Sequence, residues 1–181
     1  MTEAPARIAL IRAVNVGGRA MPMAELRAMV THLGFTDVHT LLQSGNLVFR
    51  GEGSDEAVEA TLQAASEQRF GYQADYFVRT RKEWDEIIAA NPFADEARDD
   101  PARLVVVTLK SEIAGGAIEA LRGAIKGREY AQTKGRCAYI VYPDGQGDSK
   151  LTISVVERAL GTRGTARNWN TVLKLAALAR G

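Results

Sequence analysis

Val38-His39-Thr40-Leu41-Leu42-Gln43-Ser44-Gly45-Asn46-Leu47-Val48-Phe49-Arg50 is the stretch that decides the fold. Residues 38–43 and 47–50 read as two short strands around Ser44-Gly45-Asn46, a tight hairpin in which glycine supplies the unusual backbone angle. Strands joined so closely pair antiparallel. Upstream, residues 7–14 (RIALIRAV) read as a buried strand. Met21-Pro22 opens a helix with proline in its first turn, and Leu26, Met29, Val30 and Leu33 recur at helical spacing until Gly34. Downstream, Ser54 caps a helix with Asp55 and Glu56 in its first turn, closing near Phe70-Gly71. Residues 74–79 give another strand. Strand, helix, strand, strand, helix, strand is the split βαβ, ferredoxin-like order.

The pattern then begins again. Thr80 and Glu83 form a capping box before Trp84, Ile87 and Ile88, and Asn91-Pro92-Phe93 breaks that helix. Residues 94–101 are acidic and proline-bounded, the composition of a linker. Residues 104–109 read as a strand, and Ser111 as a helix start leading through Ile113, Ala117, Ile118 and Leu121. Residues 129–133 and 137–142 read as a hairpin turning at Lys134-Gly135. Leu151, Val155, Val156 and Ala159 mark a helix ended by Gly161. A final helix from about Thr165 takes the place of a fourth strand. The expectation is an α+β fold of two ferredoxin-like βαββα halves with an extra C-terminal helix. Its boundaries are a first half over 1–90, a linker over 91–102 and a second half over 103–181. No residue-level repeat proves the duplication.

Composition narrows the class. Of 181 residues, 46% are hydrophobic and 25% charged, the balance of an ordinary globular protein. One cysteine excludes an internal disulfide framework and fits a reducing compartment. No apolar run approaches the roughly 20 residues of a membrane span, and the N-terminus lacks the pattern of a signal peptide. Cytoplasmic residence is the expectation. Residues 1–121 carry 12 Lys+Arg against 18 Asp+Glu, a balance of −6, whereas residues 122–181 carry 11 against 4, a balance of +7. A basic final third suits an anionic partner, or an acidic first half to dock against.

Four polar stretches compete as sites. Asn15-Val16-Gly17-Gly18-Arg19 follows a strand and precedes a helix, where backbone N–H groups hold anions, with Arg12 or Arg19 adding charge. A tight strand-to-helix turn explains it equally. Arg12 shares a strand face with Ile8, Leu10 and Val14, so its guanidinium is either ion-paired or aimed at a ligand. Gln43, Ser44 and Asn46 put amides and a hydroxyl around the hairpin, suited to nucleobases or peptides or to the turn itself. At the last helix, Trp169, Val172, Leu173 and Ala176 form an apolar face. Arg167, Asn170, Thr171 and Lys174 form a polar one bordered by Asn168. The polar face suits an anion, an interdomain contact or plain solvent.

Catalytic constellations are weak. His32, His39 and Cys137 have no metal-ligand spacing, and Cys137 alternates within an apolar strand, which favours inert packing. No metal and no cofactor is indicated, and whether the chain is an enzyme stays open.

Arg12-Ala13-Val14-Asn15-Val16-Gly17-Gly18, Met23-Ala24-Glu25-Leu26-Arg27, Gln43-Ser44-Gly45-Asn46 and residues 165–172 (TARNWNTV) resemble, in order, the signature stretches of the domain-of-unknown-function 1697 family. Asn91-Pro92-Phe93 falls where that family has a similar turn. Ala13 departs from it, since glycine is frequent there and alanine disfavours a positive backbone angle. The resemblance implies a duplicated ferredoxin-like α+β fold and no activity.

The functional expectation is a binding protein for a small anionic or amide-rich ligand, such as a nucleotide. Its site draws on Arg12, Asn15, Gly17, Gly18, Gln43, Ser44, Asn46, Arg167, Asn168, Asn170 and Thr171. One rival is an RNA-binding module using the basic final third, against which the strand Leu47-Val48-Phe49-Arg50 lacks the RNA-recognition pattern. The other is a structural role in which these segments only join the halves. The oligomeric state is open.

Overall fold

Residues 7–11 form a central strand because five consecutive side chains there are buried, which a strand inside a sheet permits. In the computed structural model, which describes residues 2–181, this strand is β1 (Ala6–Ile11), followed by α1 (Met23–His32), β2 (Thr36–Thr40) and β3 (Asn46–Arg50). Next come α2 (Asp55–Phe70), β4 (Tyr76–Thr80) and α3 (Arg81–Ala89). The acidic stretch expected as a linker contains α4 (Ala94–Asp99) and a 3-10 turn at Pro101–Arg103. Then follow β5 (Leu104–Leu109), α5 (Ala117–Ala124), β6 (Tyr130–Lys134), β7 (Cys137–Val141), α6 (Ile153–Leu160), β8 (Gly164–Asn168) and α7 (Trp169–Arg180). The chain is α+β, with two antiparallel four-stranded sheets ordered β2-β3-β1-β4 and β6-β7-β5-β8.

It divides into two compact units, Met1–Glu86 with Lys174–Gly181, and Ile87–Leu173. In the first, Ala9, Ile11, Leu47, Phe49 and Val78 of the sheet pack against Leu26, Met29, Val58 and Leu62 of the helices. In the second, Val105, Val107, Ala138 and Ile140 meet Leu121, Val156 and Leu160. The C-terminal segment belongs with the first unit, where Arg180 Nη2 donates to Asp85 Oδ1 at 2.9 Å. Among the described residues no helix is long and apolar enough to cross a membrane.

Three sequence expectations change. Residues 164–168 are a strand, not a helix start. They pair with β5 from Val105↔Asn168 to Leu109↔Gly164, so the second unit has its fourth strand. Gly164 is needed there because a Cβ would lie 2.8 Å from Leu109 Cδ2 and from Val107 Cγ1. The helical face drawn through Arg167, Asn170, Thr171 and Lys174 therefore dissolves: Arg167 lies on the strand, Thr171 is buried, and Leu173 is 43% exposed. Likewise α5 begins at Ala117 rather than near Ser111, after a glycine pair. The first hairpin is also wider than expected, since β2 ends at Thr40 and residues 41–45 form the loop.

Along the chain, β1 to α3 and β5 to α7 each run strand, helix, strand, strand, helix, strand, then a further helix, and a repeat appears at residue level. Ile11 N donates to Gly45 O at 2.8 Å, as Leu109 N does to Arg136 O at 2.9 Å. Arg12 N donates to Asp75 O at 3.0 Å, as Lys110 N does to Arg163 O at 2.9 Å. With these pairs in register, Ile11-Arg12-Ala13-Val14-Asn15-Val16-Gly17-Gly18 matches Leu109-Lys110-Ser111-Glu112-Ile113-Ala114-Gly115-Gly116. An aliphatic strand end, a cation and a glycine pair recur at the same spacing. The edge strands match too. Arg79 opposes Ile8 on β4 and Arg167 opposes Val106 on β8, and each guanidinium bonds the preceding carbonyl, at 2.8 and 2.9 Å. A capping residue follows each arginine. Thr80 Oγ1 accepts from Glu83 N at 3.2 Å, and Asn168 Oδ1 from Thr171 N at 3.1 Å.

The edges carry one more shared device. Glu59 Oε1 of α2 accepts from Val78 N at 2.9 Å, and Glu157 Oε1 of α6 accepts from Gly164 N at 3.0 Å.

Candidate functional site

Asn15 holds two loops of the first unit together. Its backbone N–H donates to Arg19 O at 2.7 Å and Arg19 N returns to Val16 O at 3.1 Å, closing the turn. Its side-chain Oδ1 accepts from Met21 N at 2.8 Å, while Nδ2 donates to Met21 O at 3.2 Å and Gln43 O at 2.6 Å. The last bond ties the β1–α1 connection to the hairpin loop. Gly45 completes the junction, since a Cβ on it would lie 2.7 Å from Val14 Cγ2 and 2.9 Å from Ile11 Cβ, at φ +88°.

The backbone here is unusual. Among the described residues, non-glycine residues with positive φ are Ala13, Asn15, Asp37 and Leu42, so three of the four lie in these two loops. Ala13, at φ 56°, adopts the left-handed angle that alanine disfavours. Strain of this kind costs of the order of 1–3 kcal/mol per residue and is over-determined by its surroundings. Above the strained residues the surface is open: Val16 is 58% and Leu42 54% exposed, and Gln43, Ser44, Gly17 and Gly18 are exposed as well. Arg19 lies over the Tyr72 ring, 6.0 Å from its centroid, and Tyr72 Oη donates to Ala20 O at 3.1 Å. Arg12 is half-buried.

Not every expected site residue faces that surface. Asn46 is fully buried, and its Nδ2 donates to Leu41 O at 2.8 Å and Ser44 Oγ at 3.0 Å, so its amide shapes the hairpin from within. In the second unit, Arg167 is buried on β8, with Nη1 on Thr165 Oγ1 at 2.7 Å, and burial lowers its guanidinium pKa to about 10. Asn168 caps α7, Thr171 is buried in its first turn and Asn170 is exposed. The surplus of polar groups over 165–171 is thus largely consumed by a strand end and a helix cap.

Sequence reasoning passed over a charged network in the first unit. Arg7 is buried in β1, donating from Nε to Gly51 O and from Nη1 to Asp55 Oδ1, both at 2.8 Å, and from Nη2 to Gly53 O. Asp55 opens α2 and Glu83 sits in the first turn of α3, where it accepts from Thr80 N at 2.7 Å and Thr80 Oγ1 at 2.9 Å. Burial pushes the Asp55 carboxyl up, the hydrogen-bonded Glu83 carboxyl adds to this, and Arg7 and Arg79 pull it back. The available signal was Arg7 itself, a charge opening an apolar strand beside acidic helix starts.

Among the described residues no group of three or more His, Cys, Asp or Glu could hold a metal ion. Cys137 is buried, as its alternation in an apolar strand implies, and His39 pairs with Asp37 at 2.9 Å on the surface.

The family model described as "Protein of unknown function (DUF1697)" matches residues 5–139. The chain belongs to this family. The matched region holds both candidate loops of the first unit and, in the second, the β5–α5 connection and the β6–β7 turn. No curated protein matches the DUF1697 chain significantly. A solved structure, that of a conserved bacterial protein from Streptococcus pneumoniae, shares its fold with a TM-score of 0.75 at 18% identity, covering 98% of this chain and 99% of that one.

Proposed function

We propose that this DUF1697 protein binds a small anionic, amide-rich ligand, such as a nucleotide, on the paired loops of its first ferredoxin-like unit. The observation carrying the proposal is the convergence of Ala13, Asn15 and Leu42, all in left-handed conformations, on two loops cross-linked by Asn15. Ala13, Asn15 and Leu42 hold these backbone angles at exposed positions, and outliers of this kind cluster where a surface is shaped for binding. The chemistry is that of an anion receptor. Gly17 and Gly18 leave backbone N–H groups accessible, Arg19 and Arg12 supply charge, and the Gln43 amide both donates and accepts.

A structural role is favoured instead for Arg167, Asn168 and Thr171, since their side chains or backbone groups make the bonds that end β8 and start α7. The ligand reading therefore rests on Arg12, Asn15, Gly17, Gly18, Arg19, Gln43 and Ser44. Calorimetric titration of the full chain with adenosine monophosphate is the test. Arg19→Ala and Gln43→Ala each weaken binding about tenfold, the loss of one charge-assisted or amide contact. No heat with the wild type, or wild-type affinity in both variants, refutes the proposal.

A further inference from the structure

We propose a second anion site in the second unit, at the position that the internal repeat makes equivalent to the first, and we assign it a phosphate monoester. Its ligand class rests on the anion reading of the first loop pair; its location does not. Lys110 follows β5 as Arg12 follows β1, and Gly115-Gly116 stand where Gly17-Gly18 stand. Here, however, the connection to the helix is shorter and the hairpin turns through Gly135-Arg136 alone, between Lys134 and Cys137. With no long loop to fill it, the space between connection and turn is a hollow of about 380 Å³.

Residues 112–116, Ile118 and residues 133–135 line that hollow. Gly115, Gly116 and Gly135 leave it open, for a Cβ built on any of them meets nothing within 4 Å. Lys134 is exposed on its wall, and the bonds Leu109 N to Arg136 O and Lys110 N to Arg163 O bring Lys110, Arg136 and Arg163 to the same end of the sheet. Two carboxylates oppose them, Glu112 on the wall and Glu157 bonded to Gly164 N. Lys110, Lys134, Arg136 and Arg163 thus outnumber Glu112 and Glu157 at this end of the sheet. Ser111 Oγ and Thr162 Oγ1, 2.9 Å apart and exposed, add hydroxyl groups beside it. The hollow exceeds one phosphate, and Ile113 and Ile118 give it an apolar wall, so the anion carries an organic group.

The test follows backbone amide resonances of the full chain during titration with inorganic phosphate and, separately, adenosine monophosphate, at constant ionic strength. Gly115, Gly116 and Gly135 shift saturably, and the monoester binds tighter than phosphate. Lys134→Ala weakens this response about tenfold while leaving the Gly17 and Gly18 response intact. If Gly17 and Gly18 respond and Gly115 and Gly116 do not, the second site is refuted and the first stands. The opposite pattern refutes the first and keeps the second. Silence in both sets refutes both. Equal affinity for phosphate and monoester removes the organic part of the assignment, and an unchanged Lys134→Ala response removes the site.

Discussion

The two units close the same frame in different ways. In the second, a hairpin turn needs only Gly135-Arg136, and six residues carry the chain from β5 to the glycine before α5. In the first, the hairpin takes residues 41–45 and the strand-to-helix connection is longer, with three non-glycine residues in left-handed conformations and Asn15 binding the two loops together. Since the sister unit closes without these additions, folding alone does not require them. The duplication thus acts as an internal control. What both units keep (register, edge arginine, helix cap, cation and glycine pair) belongs to the frame and its shared chemistry. What only the first elaborates is surface.

The contrast can be broken most severely at the hairpins. Gly45→Val forces side-chain atoms into Val14 and Ile11 at a positive φ and costs about 3 kcal/mol or more, whereas Gly135→Ala, which meets open space, costs about 1 kcal/mol for its left-handed angle. Urea unfolding of the two variants checks this, and equal losses would erase the distinction between a tightly packed loop and a free turn. Asn15→Ala removes three side-chain bonds and costs about 2 kcal/mol. Because the second unit has no counterpart of the Asn15–Gln43 tie, faster amide exchange in this variant is confined to the first unit.

The helix caps sharpen the other side of the comparison, the shared frame. Thr80→Ala and Asn168→Ala each remove a side-chain acceptor from the third residue after the cap and lose about 1 kcal/mol, by similar amounts in thermal unfolding. A large inequality would mean that the two caps are not equivalent. The smallest effect concerns pH. Asp55 is raised in the folded chain, chiefly by burial and then by Glu83, so the folded state keeps its proton to higher pH than the unfolded state does. The stability it contributes is present below the unfolded carboxylate pKa and declines as pH rises through the folded value. Glu83→Gln removes the like charge, lowers the Asp55 pKa and flattens that decline, measured by carboxyl titration and by unfolding across the acid range.

Most of the frame could be read from the chain because its signals are local. Ser54 and Gly71 bound α2 as capping rules require, and Ser54 Oγ accepts from Ala57 N at 3.1 Å. The β5 run is apolar but for Thr108 and buried throughout, so a buried strand suited it best. Residues 164–168 misled because Gly-Thr-Ala-Arg-Asn lacks a β-rich run. Its strand identity comes from pairing with β5, a contact between residues far apart in sequence. The helix start expected at about Thr165 consequently lies at Trp169, with Asn168 as its cap. The repeat was hidden for a related reason, since eight residues sharing only an aliphatic, a cation and two glycines are aligned by hydrogen bonds rather than by similarity. Of the candidate site, the loop around Asn15 was visible as a glycine-rich polar turn. Its strain and its tie to Gln43 depend on tertiary structure, as does the burial of Arg167.

Glu59 and Glu157 have a consequence for how the molecule meets its own copies. The outermost strand of a sheet is a template on which another chain can crystallise into the ladder, and a row of bare amide donors invites it. Here a carboxylate from a neighbouring helix already occupies a donor at β4 and another at β8. An incoming strand must first strip a charged acceptor from the amide it would use, exchanging a stronger hydrogen bond for a neutral one. Two acidic side chains thus hinder the addition of a strand at β4 and at β8, a device each repeat carries within itself.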